Sequence, residues 1–122
     1  AVLSDAILSG ANLENAILSG ADLENTNLRK ANLWATDIEK ANLHGTKGDM
    51  YHVKSIFCEA YPVVYTANML QIGCERHKIE EWWDFTDLRI LKMDSEKALD
   101  LWKRWKQVLK YLIEMSPAEP TQ

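Results

Sequence analysis

The sequence has few cysteines and no long apolar run, and each shortage excludes a class of protein. Two cysteines among 122 residues are too few for a disulfide framework. No apolar stretch approaches the ~20 residues that a membrane-spanning helix needs. With a net charge of −4 and a pI near 5.3, the composition predicts a cytoplasmic protein that does not enter a membrane.

Motifs of catalysis are equally scarce. No Ser-His-Asp ordering, phosphate-binding loop or paired-carboxylate site stands out in the sequence. Glu80 and Glu81 are better explained as the acidic first turn of a helix, where carboxylates interact favourably with the helix dipole. We therefore expect a protein that is not an enzyme and that needs no cofactor.

What the sequence does have is a five-residue period, Ala-x-Leu-x-x, over residues 1–45. The third position of each unit holds a large aliphatic residue: Leu3, Leu8, Leu13, Leu18, Leu23, Leu28, Leu33, Ile38 and Leu43. The first position holds a small one: Ala1, Ala6, Ala11, Ala16, Ala21, Thr26, Ala31, Thr36 and Ala41. The remaining positions are mostly polar, so each unit specifies one large apolar side chain, one small one and little else.

Neither of the common periodicities produces this pattern. On an α-helix a step of five residues turns by about 500°, so the leucines would spiral around the surface without forming a stripe. Along a strand, positions five apart lie on opposite faces. A chain that bends once per unit fits, because each bend sends the leucine and the small residue inward. Such a chain is a solenoid, whose turns bury their leucines by stacking on one another.

Units such as Ala11-Asn12-Leu13-Glu14-Asn15 and Ala21-Asp22-Leu23-Glu24-Asn25 resemble the tandem A(N/D)LXX motif of the pentapeptide-repeat proteins. The resemblance covers residues 1–45. It implies a right-handed quadrilateral β-helix in which four units form one coil, so nine units make just over two coils.

The best-known members of this family are thought to inhibit DNA gyrase by mimicking duplex DNA, which needs a long acidic rod. Two coils span only about 10 Å at the ~4.8 Å spacing of strands, whereas one turn of B-DNA is ~34 Å long. Residues 1–47 carry a net charge of only −2. Inhibition of a DNA-handling enzyme by mimicry is therefore an alternative that requires a longer acidic solenoid before Ala1.

The repeat is already in register at Ala1. Because an open solenoid end exposes unpaired backbone and apolar side chains, we expect further coils upstream, or a partner or second copy of the chain at this end. Self-association through the open N-terminal coil is thus one expected partnership.

Beyond residue 47 the composition shifts to aromatic and β-branched residues. We predict a C-terminal α+β domain over residues 48–116 and a disordered tail over 117–122. The fold class is thus a β-solenoid plus an α+β domain, whose strands we expect to cap the solenoid. The patterns predict strands at 51–57, 62–66 and 69–73, with a hairpin across Ala67-Asn68, and helices at 78–85, 87–92 and 95–115.

The ends of the last helix have their own signals. Asp94 or Ser95 is the expected N-cap, and Pro117 stops the helix after Met115. Just before the first helix, residues 72–83 (IGCERHKIEEWW) resemble an uncharacterised C-terminal region that follows such repeats in bacterial and phage proteins. This second resemblance implies no known activity.

Two cysteines and two histidines form a candidate metal site. Cys74 and His77 have a Cys-x-x-His spacing that zinc could use, and His52 and Cys58 lie upstream. A lone Cys and a lone His on a strand are more typical of structural residues, so we predict no metal. A disulfide between Cys58 and Cys74 is a further alternative if the strands bring them together, although a reducing cytoplasm favours free thiols.

Three sets of side chains are candidates for binding a protein partner. Val2, Ile7 and Ile17 occupy an outward position where most units carry Asn or Asp, which makes the first coil apolar outside. Trp34 also points outward, and is either covered by the C-terminal helices or available to a partner. The third set comprises four basic residues of the last helix: Lys103, Arg104, Lys106 and Lys110. The other four tryptophans are expected to build the C-terminal core.

The basic residues could also contact nucleic-acid phosphates. The net charge of −2 over residues 48–122 favours a solvated helix face over such a site. We therefore predict a non-enzymatic protein–protein interaction module of bacterial or phage origin, with the solenoid faces and C-terminal helices as its binding surface. A nucleic-acid- or metal-binding C-terminal domain is the remaining alternative.

Overall fold

A computed structural model of the protein describes residues 2–59, 61–93 and 96–121. A region of short bridges and turns comes first. It is followed by four strands and three helices: β1 Lys54–Cys58, β2 Tyr61–Tyr65, β3 Met69–Ile72, β4 Glu75–Lys78, α1 Ile79–Trp83, α2 Asp87–Met93 and α3 Glu96–Met115. Ala1 and the expected N-caps of the last helix, Asp94 and Ser95, lie outside the described residues.

Parallel β-bridges join repeat residues that are twenty positions apart, from Val2 with Asp22 to Asn27 with Lys47. Twenty residues are four units, so the chain lies beside itself every four units. We call the units joined in this way a row. Row 1 contains residues 2–5, 21–25 and 41–45, row 2 contains 6–10, 26–30 and 46–47, row 3 contains 11–15 and 31–35, and row 4 contains 16–20 and 36–40. This pairing agrees with the β-helix that the repeat implies, whose hand and four-sided section stay predictions.

Each unit bends at its fifth residue, which adopts a left-handed backbone conformation. The φ angle lies between +56° and +73° at all nine positions: Asp5, Gly10, Asn15, Gly20, Asn25, Lys30, Ala35, Lys40 and Gly45. Glycine, asparagine and aspartate adopt this conformation most readily, and they occupy six of the nine positions. An Asx turn supports the bend in most units, as where Glu14 N–H donates to Asn12 Oδ1 at 3.1 Å.

The inward positions of the repeat form the first hydrophobic core, as predicted. Leu23, Leu28 and Leu33 are fully buried. Threonine takes the small position in three places, and all three side chains are buried. Each donates its hydroxyl hydrogen to a leucine carbonyl at 2.8–2.9 Å: Thr26 to Leu3, Thr36 to Leu13 and Thr46 to Leu23. The small position thus also connects units of adjacent turns.

The strands form one antiparallel sheet in the order β1-β2-β3-β4. The predicted hairpin is confirmed, with Val63 opposite Ile72 and Tyr65 opposite Leu70. Strand β4 was not predicted, because its sequence ERHK has no alternation of apolar and polar residues. It pairs with β3 through the backbone, with His77 opposite Leu70.

The helices pack with the sheet around a second core. Trp82 and Trp102 are buried, and the ring of Trp83 stacks on that of Trp102 with centroids 6.1 Å apart. The Trp82 indole N–H donates to the Leu70 carbonyl at 2.7 Å, which ties α1 to β3. The expected aromatic core is therefore confirmed. No helix in the described ranges is long and apolar enough to cross a membrane.

The sheet meets the end of row 1 through a polar side chain. Gln71, only 3% exposed, accepts the Leu43 N–H through Oε1 at 2.9 Å and donates from Nε2 to Asn42 Oδ1 at 2.9 Å. Arg76 donates from Nη1 to the Ala41 carbonyl. The strands therefore cap this row with side chains and do not extend its bridges.

The tail differs from the disordered segment that we expected. Ala118 is buried, the Glu119 N–H donates to the Tyr51 carbonyl at 2.9 Å, and the Thr121 carbonyl accepts the Ala35 N–H at 2.6 Å. Because Pro117 ends the helix and these backbone bonds follow it, residues 118–121 lie against the repeat region. The predicted domain boundaries remain predictions.

Candidate functional site

Two exposed aromatic side chains, Trp34 and Tyr51, flank His52 where the repeat meets the C-terminal region. Trp34 is 57% exposed and Tyr51 is 54% exposed. Both rings meet the His52 imidazole edge-on, with centroid distances of 5.9 and 4.6 Å, an arrangement that aromatic pairs favour. Trp34 thus stays largely open to solvent. We call Trp34 and Tyr51 the aromatic surface.

Asp49 fixes the loop that carries Tyr51 and His52. Its Oδ1 accepts the backbone N–H groups of Tyr51, His52 and Val53 at 2.8–3.1 Å, and its Oδ2 lies 2.9 Å from His52 Nδ1. Gly48 precedes it at a point where a Cβ would lie 2.0 Å from the Val53 carbonyl oxygen, so only glycine fits. The loop is therefore held in one shape, and nothing in our sequence analysis had singled out Asp49.

The Asp49–His52 pair is buried, with 5% and 7% of the two side chains exposed. An Asp–His pair also occurs in Ser-His-Asp hydrolases. In this protein, however, His52 Nε2 is closed off from solvent and has no hydrogen-bond partner among the described residues. A general base must reach its proton directly or through one water, so the geometry gives His52 the role of positioning the aromatic surface.

The first predicted set of partner-binding residues lies outward. Val2, Ile7 and Ile17 are 78–82% exposed. Their bridges connect them to Asp22, Asn27 and Asp37 respectively, which places the three side chains in three different rows. They therefore do not converge on one patch, and a partner would contact them separately.

Two of the four predicted basic residues are in ion pairs. Arg104 lies 2.8 Å from Glu59 and 3.1 Å from Asp100, and Lys103 lies 3.5 Å from Asp87. The hydrogen bond from Arg104 holds the pKa of Glu59 below its usual value. The other two, Lys106 and Lys110, are half-buried on the same helix. These pairs attach α3 to the β1 end and to α2, and they reduce the charge available to phosphates.

The candidate metal ligands are dispersed. Cys58 is buried at the end of β1, where burial raises the pKa of its thiol, and Cys74 is exposed in the turn before β4; both thiols are free. His77 pairs with Glu75 at 3.1 Å, and His52 pairs with Asp49. Among residues 2–59, 61–93 and 96–121, no three His, Cys, Asp or Glu side chains are grouped so that they could hold a metal ion.

Comparison with known proteins identifies the repeat region. Residues 1–45 match the family model of pentapeptide repeats in eight copies, so the resemblance drawn from the Ala-x-Leu-x-x pattern is confirmed for this part. No curated protein and no solved structure matches the chain. Pentapeptide repeats imply a β-helix, and they suggest a protein-interaction module only in general terms.

Proposed function

We propose that this protein is a non-enzymatic protein-interaction module in which the aromatic surface, where the repeat meets the C-terminal region, is the main contact. The observation that carries the proposal is the exposure of Trp34 on the repeat and of Tyr51 on the neighbouring loop that Asp49 fixes. Tryptophan and tyrosine are enriched among the residues that dominate binding energy. A rigid loop also lowers the entropy that a contact loses on binding. The outward side chains of the other rows and the C-terminal helices would extend this surface.

The proposal includes the form of the repeat and its setting. We infer a right-handed quadrilateral β-helix of just over two coils, because the bridges recur after four units and four units form one coil in the family. A bacterial or phage protein of the cytoplasm is the setting that the sequence favours. The net charge of −2 over residues 1–47 gives this part of the chain little likeness to DNA, which supports protein binding over mimicry.

A binding experiment with matched variants tests the proposal. A photo-crosslinking amino acid at position 51 would capture partners in extracts of the source cells, and the purified partner would then be titrated by calorimetry. Trp34→Ala with Tyr51→Ala should weaken binding by about thirtyfold, as expected for loss of a contact that dominates an interface. The control is Phe57→Ala with Tyr111→Ala, two aromatic residues that are exposed elsewhere. Equal losses in both pairs, or no partner at all, would refute the proposal.

A further inference from the structure

Backbone hydrogen bonds connect successive units of each row in a fixed pattern. In row 2, Lys47 N–H donates to the Thr26 carbonyl at 2.9 Å and its own carbonyl accepts the Leu28 N–H at 2.8 Å. In row 4, the Glu39 carbonyl accepts the Gly20 N–H at 2.9 Å. In the last complete unit of a row, three backbone groups are therefore left for a following unit to pair. They are the carbonyl of the first residue and the N–H groups of the third and fifth residues.

Other parts of the chain supply some of these partners. At the end of row 1, Gln71 pairs with Leu43 and Arg76 with Ala41. At the end of row 3, the tail carbonyl of Thr121 accepts the Ala35 N–H. The tail thus shows that backbone from outside the repeat can pair with this end of it.

Row 4 has no such cap. Within the part of the chain that the structure describes, the Thr36 carbonyl and the N–H groups of Ile38 and Lys40 have no hydrogen-bond partner. Thr36 is fully buried, so its carbonyl is closed to an added segment, whereas the N–H groups of Ile38 and Lys40 remain for one. Ile38, the last aliphatic residue of the row, is only half-buried. We call this unpaired end the open edge.

A cavity of about 290 Å³ lies at the open edge. Asp37, Ile38 and Glu39 line one side, and the rest is lined by His52, Lys78, the β2–β3 turn and the tail residues 119–121. Because ~10–15 Å³ of this volume is enough to hold one water, the cavity has room for a short peptide segment. Three carboxylates against one ammonium make the lining acidic.

We propose that the open edge binds an extended segment of a protein partner that carries basic side chains on both sides of an aliphatic one. The bond pattern of Lys47 assigns the backbone: the carbonyl of the first residue of the segment accepts the Ile38 N–H, and that of the third accepts the Lys40 N–H. The middle side chain then covers Ile38. This inference rests on the proposed function and names the chemistry of one partner segment.

The outward positions of the open edge decide the charge of the segment. In row 4, Asp37 forms a bridge with Ile17, and the Glu39 carbonyl accepts the Gly20 N–H. The first and third residues of an added segment would lie next to Asp37 and Glu39 in the same way, with Glu119 at the cavity wall. Lysine or arginine at these two places therefore complements the edge, and aspartate or glutamate is repelled.

A peptide titration followed by NMR tests the inference on the full chain. The probe is acetyl-Gly-Lys-Leu-Lys-Gly-amide. It should shift the amide resonances of Ile38 and Lys40 and slow their hydrogen exchange. The control peptide has glutamate in place of both lysines and should not bind.

Two matched double variants locate the site. Asp37→Asn with Glu39→Gln should weaken the lysine peptide about fivefold, the effect of removing two exposed ion pairs. Asparagine keeps the acceptor that Asp37 provides to the Glu39 N–H, so the turn survives. Asp22→Asn with Glu24→Gln makes the same changes in row 1, where Asn42 and His44 already cover the pair, and should leave binding unchanged.

Several results would overturn the inference. If the Ile38 and Lys40 amides of the free protein exchange as slowly as those of Leu18 and Gly20, the open edge is already occupied by the chain itself or by a second copy. Equal binding of the lysine and glutamate peptides, or equal losses in both double variants, would also refute it. If a partner instead depends on Trp34 and Tyr51 but is insensitive to the Asp37 and Glu39 changes, this inference fails while the proposed function stands. If a partner depends on Asp37 and Glu39 but is insensitive to the Trp34 and Tyr51 changes, the proposed role of the aromatic surface fails while this inference stands.

Discussion

Replacing Gln71 tests whether one buried amide closes the end of row 1. Gln71→Leu keeps a side chain of similar size but removes the acceptor for the Leu43 N–H and the donor to Asn42 Oδ1 and to the Gly73 carbonyl. Asn42 Oδ1 still accepts the His44 N–H at 3.2 Å, so this oxygen keeps one hydrogen bond in the variant. The Leu43 N–H has no second acceptor among the described residues.

The expected loss follows from these three bonds. A buried N–H left without an acceptor costs about 1–3 kcal/mol, and the loss of the Asn42 and Gly73 contacts adds about 1 kcal/mol. Gln71→Leu should therefore lower the free energy of unfolding by about 2–4 kcal/mol. At a slope of ~2 kcal/mol per molar urea, the unfolding midpoint falls by about 1–2 M. Gln107→Leu, the same change on the exposed side of α3, should move it little.

Urea unfolding and amide exchange measure the two parts of this prediction. The Leu43 amide should be protected in the parent and exchange rapidly in Gln71→Leu.

Gln71→Glu adds a pH test, because a neutral carboxyl can both accept and donate whereas a carboxylate cannot donate to Asn42. Burial should raise its pKa in the folded state above the ~4.3 of the unfolded chain. The folded state then binds more protons, so this variant should resemble the parent below about pH 4 and lose stability as the pH rises.

An unfolding midpoint for Gln71→Leu within the error of the parent, with Leu43 still protected, would refute the reasoning. It would mean that another group replaces the amide. A loss that is equal in Gln71→Leu and Gln107→Leu would also contradict it, because the change of residue type alone would then explain the effect.

Two further predictions concern the C-terminal region. Because the Arg104 hydrogen bond lowers the pKa of Glu59, this contact contributes stability above the ordinary carboxyl pKa of ~4.3, and the contribution is lost as the pH falls through the folded pKa. Arg104→Gln should raise the pKa of Glu59 in an NMR titration, whereas Lys103→Gln, whose partner is Asp87, should not; equal shifts would contradict the assignment. Cys74 is exposed, whereas Cys58 is buried with a raised pKa, so a thiol reagent at pH 8 should modify one thiol quickly and the second only on unfolding. A fast phase that persists in Cys74→Ser would disprove this.

The repeat could be predicted from the sequence because its signal is local and periodic. The leucine and small positions are fixed by spacing alone, and the structure buries Leu23, Leu28 and Leu33 as expected. The bend at the fifth position was also visible in the sequence, since Gly, Asn or Asp occupies it in six of nine units. That signal was missed because Lys30, Ala35 and Lys40 interrupt it, at ~1–2 kcal/mol each for their left-handed backbone.

The contacts that close the repeat could not be predicted in the same way. Gln71 pairs with Leu43, which is 28 positions away, and Thr121 pairs with Ala35, which is still more distant in the sequence. A single long-range hydrogen bond leaves no period in the sequence. The aromatic surface was half predicted, since the outward position of Trp34 was visible, whereas its neighbour Tyr51 depends on the loop that Asp49 shapes.

The open edge also explains why acidic residues at this end matter for self-association. An unpaired strand edge is a template on which another copy can add, and proteins block such edges with charge or with a cover. If two copies met edge to edge at row 4, Asp37 and Glu39 of one copy would lie beside the same residues of the other. Like charges opposite one another destabilise strand pairing. The same carboxylates that would attract a basic segment therefore oppose pairing between copies, so Asp37→Asn with Glu39→Gln should weaken peptide binding and, in sedimentation at high concentration, increase association of the free protein. A variant that weakens both would show that the charges do not act on the edge.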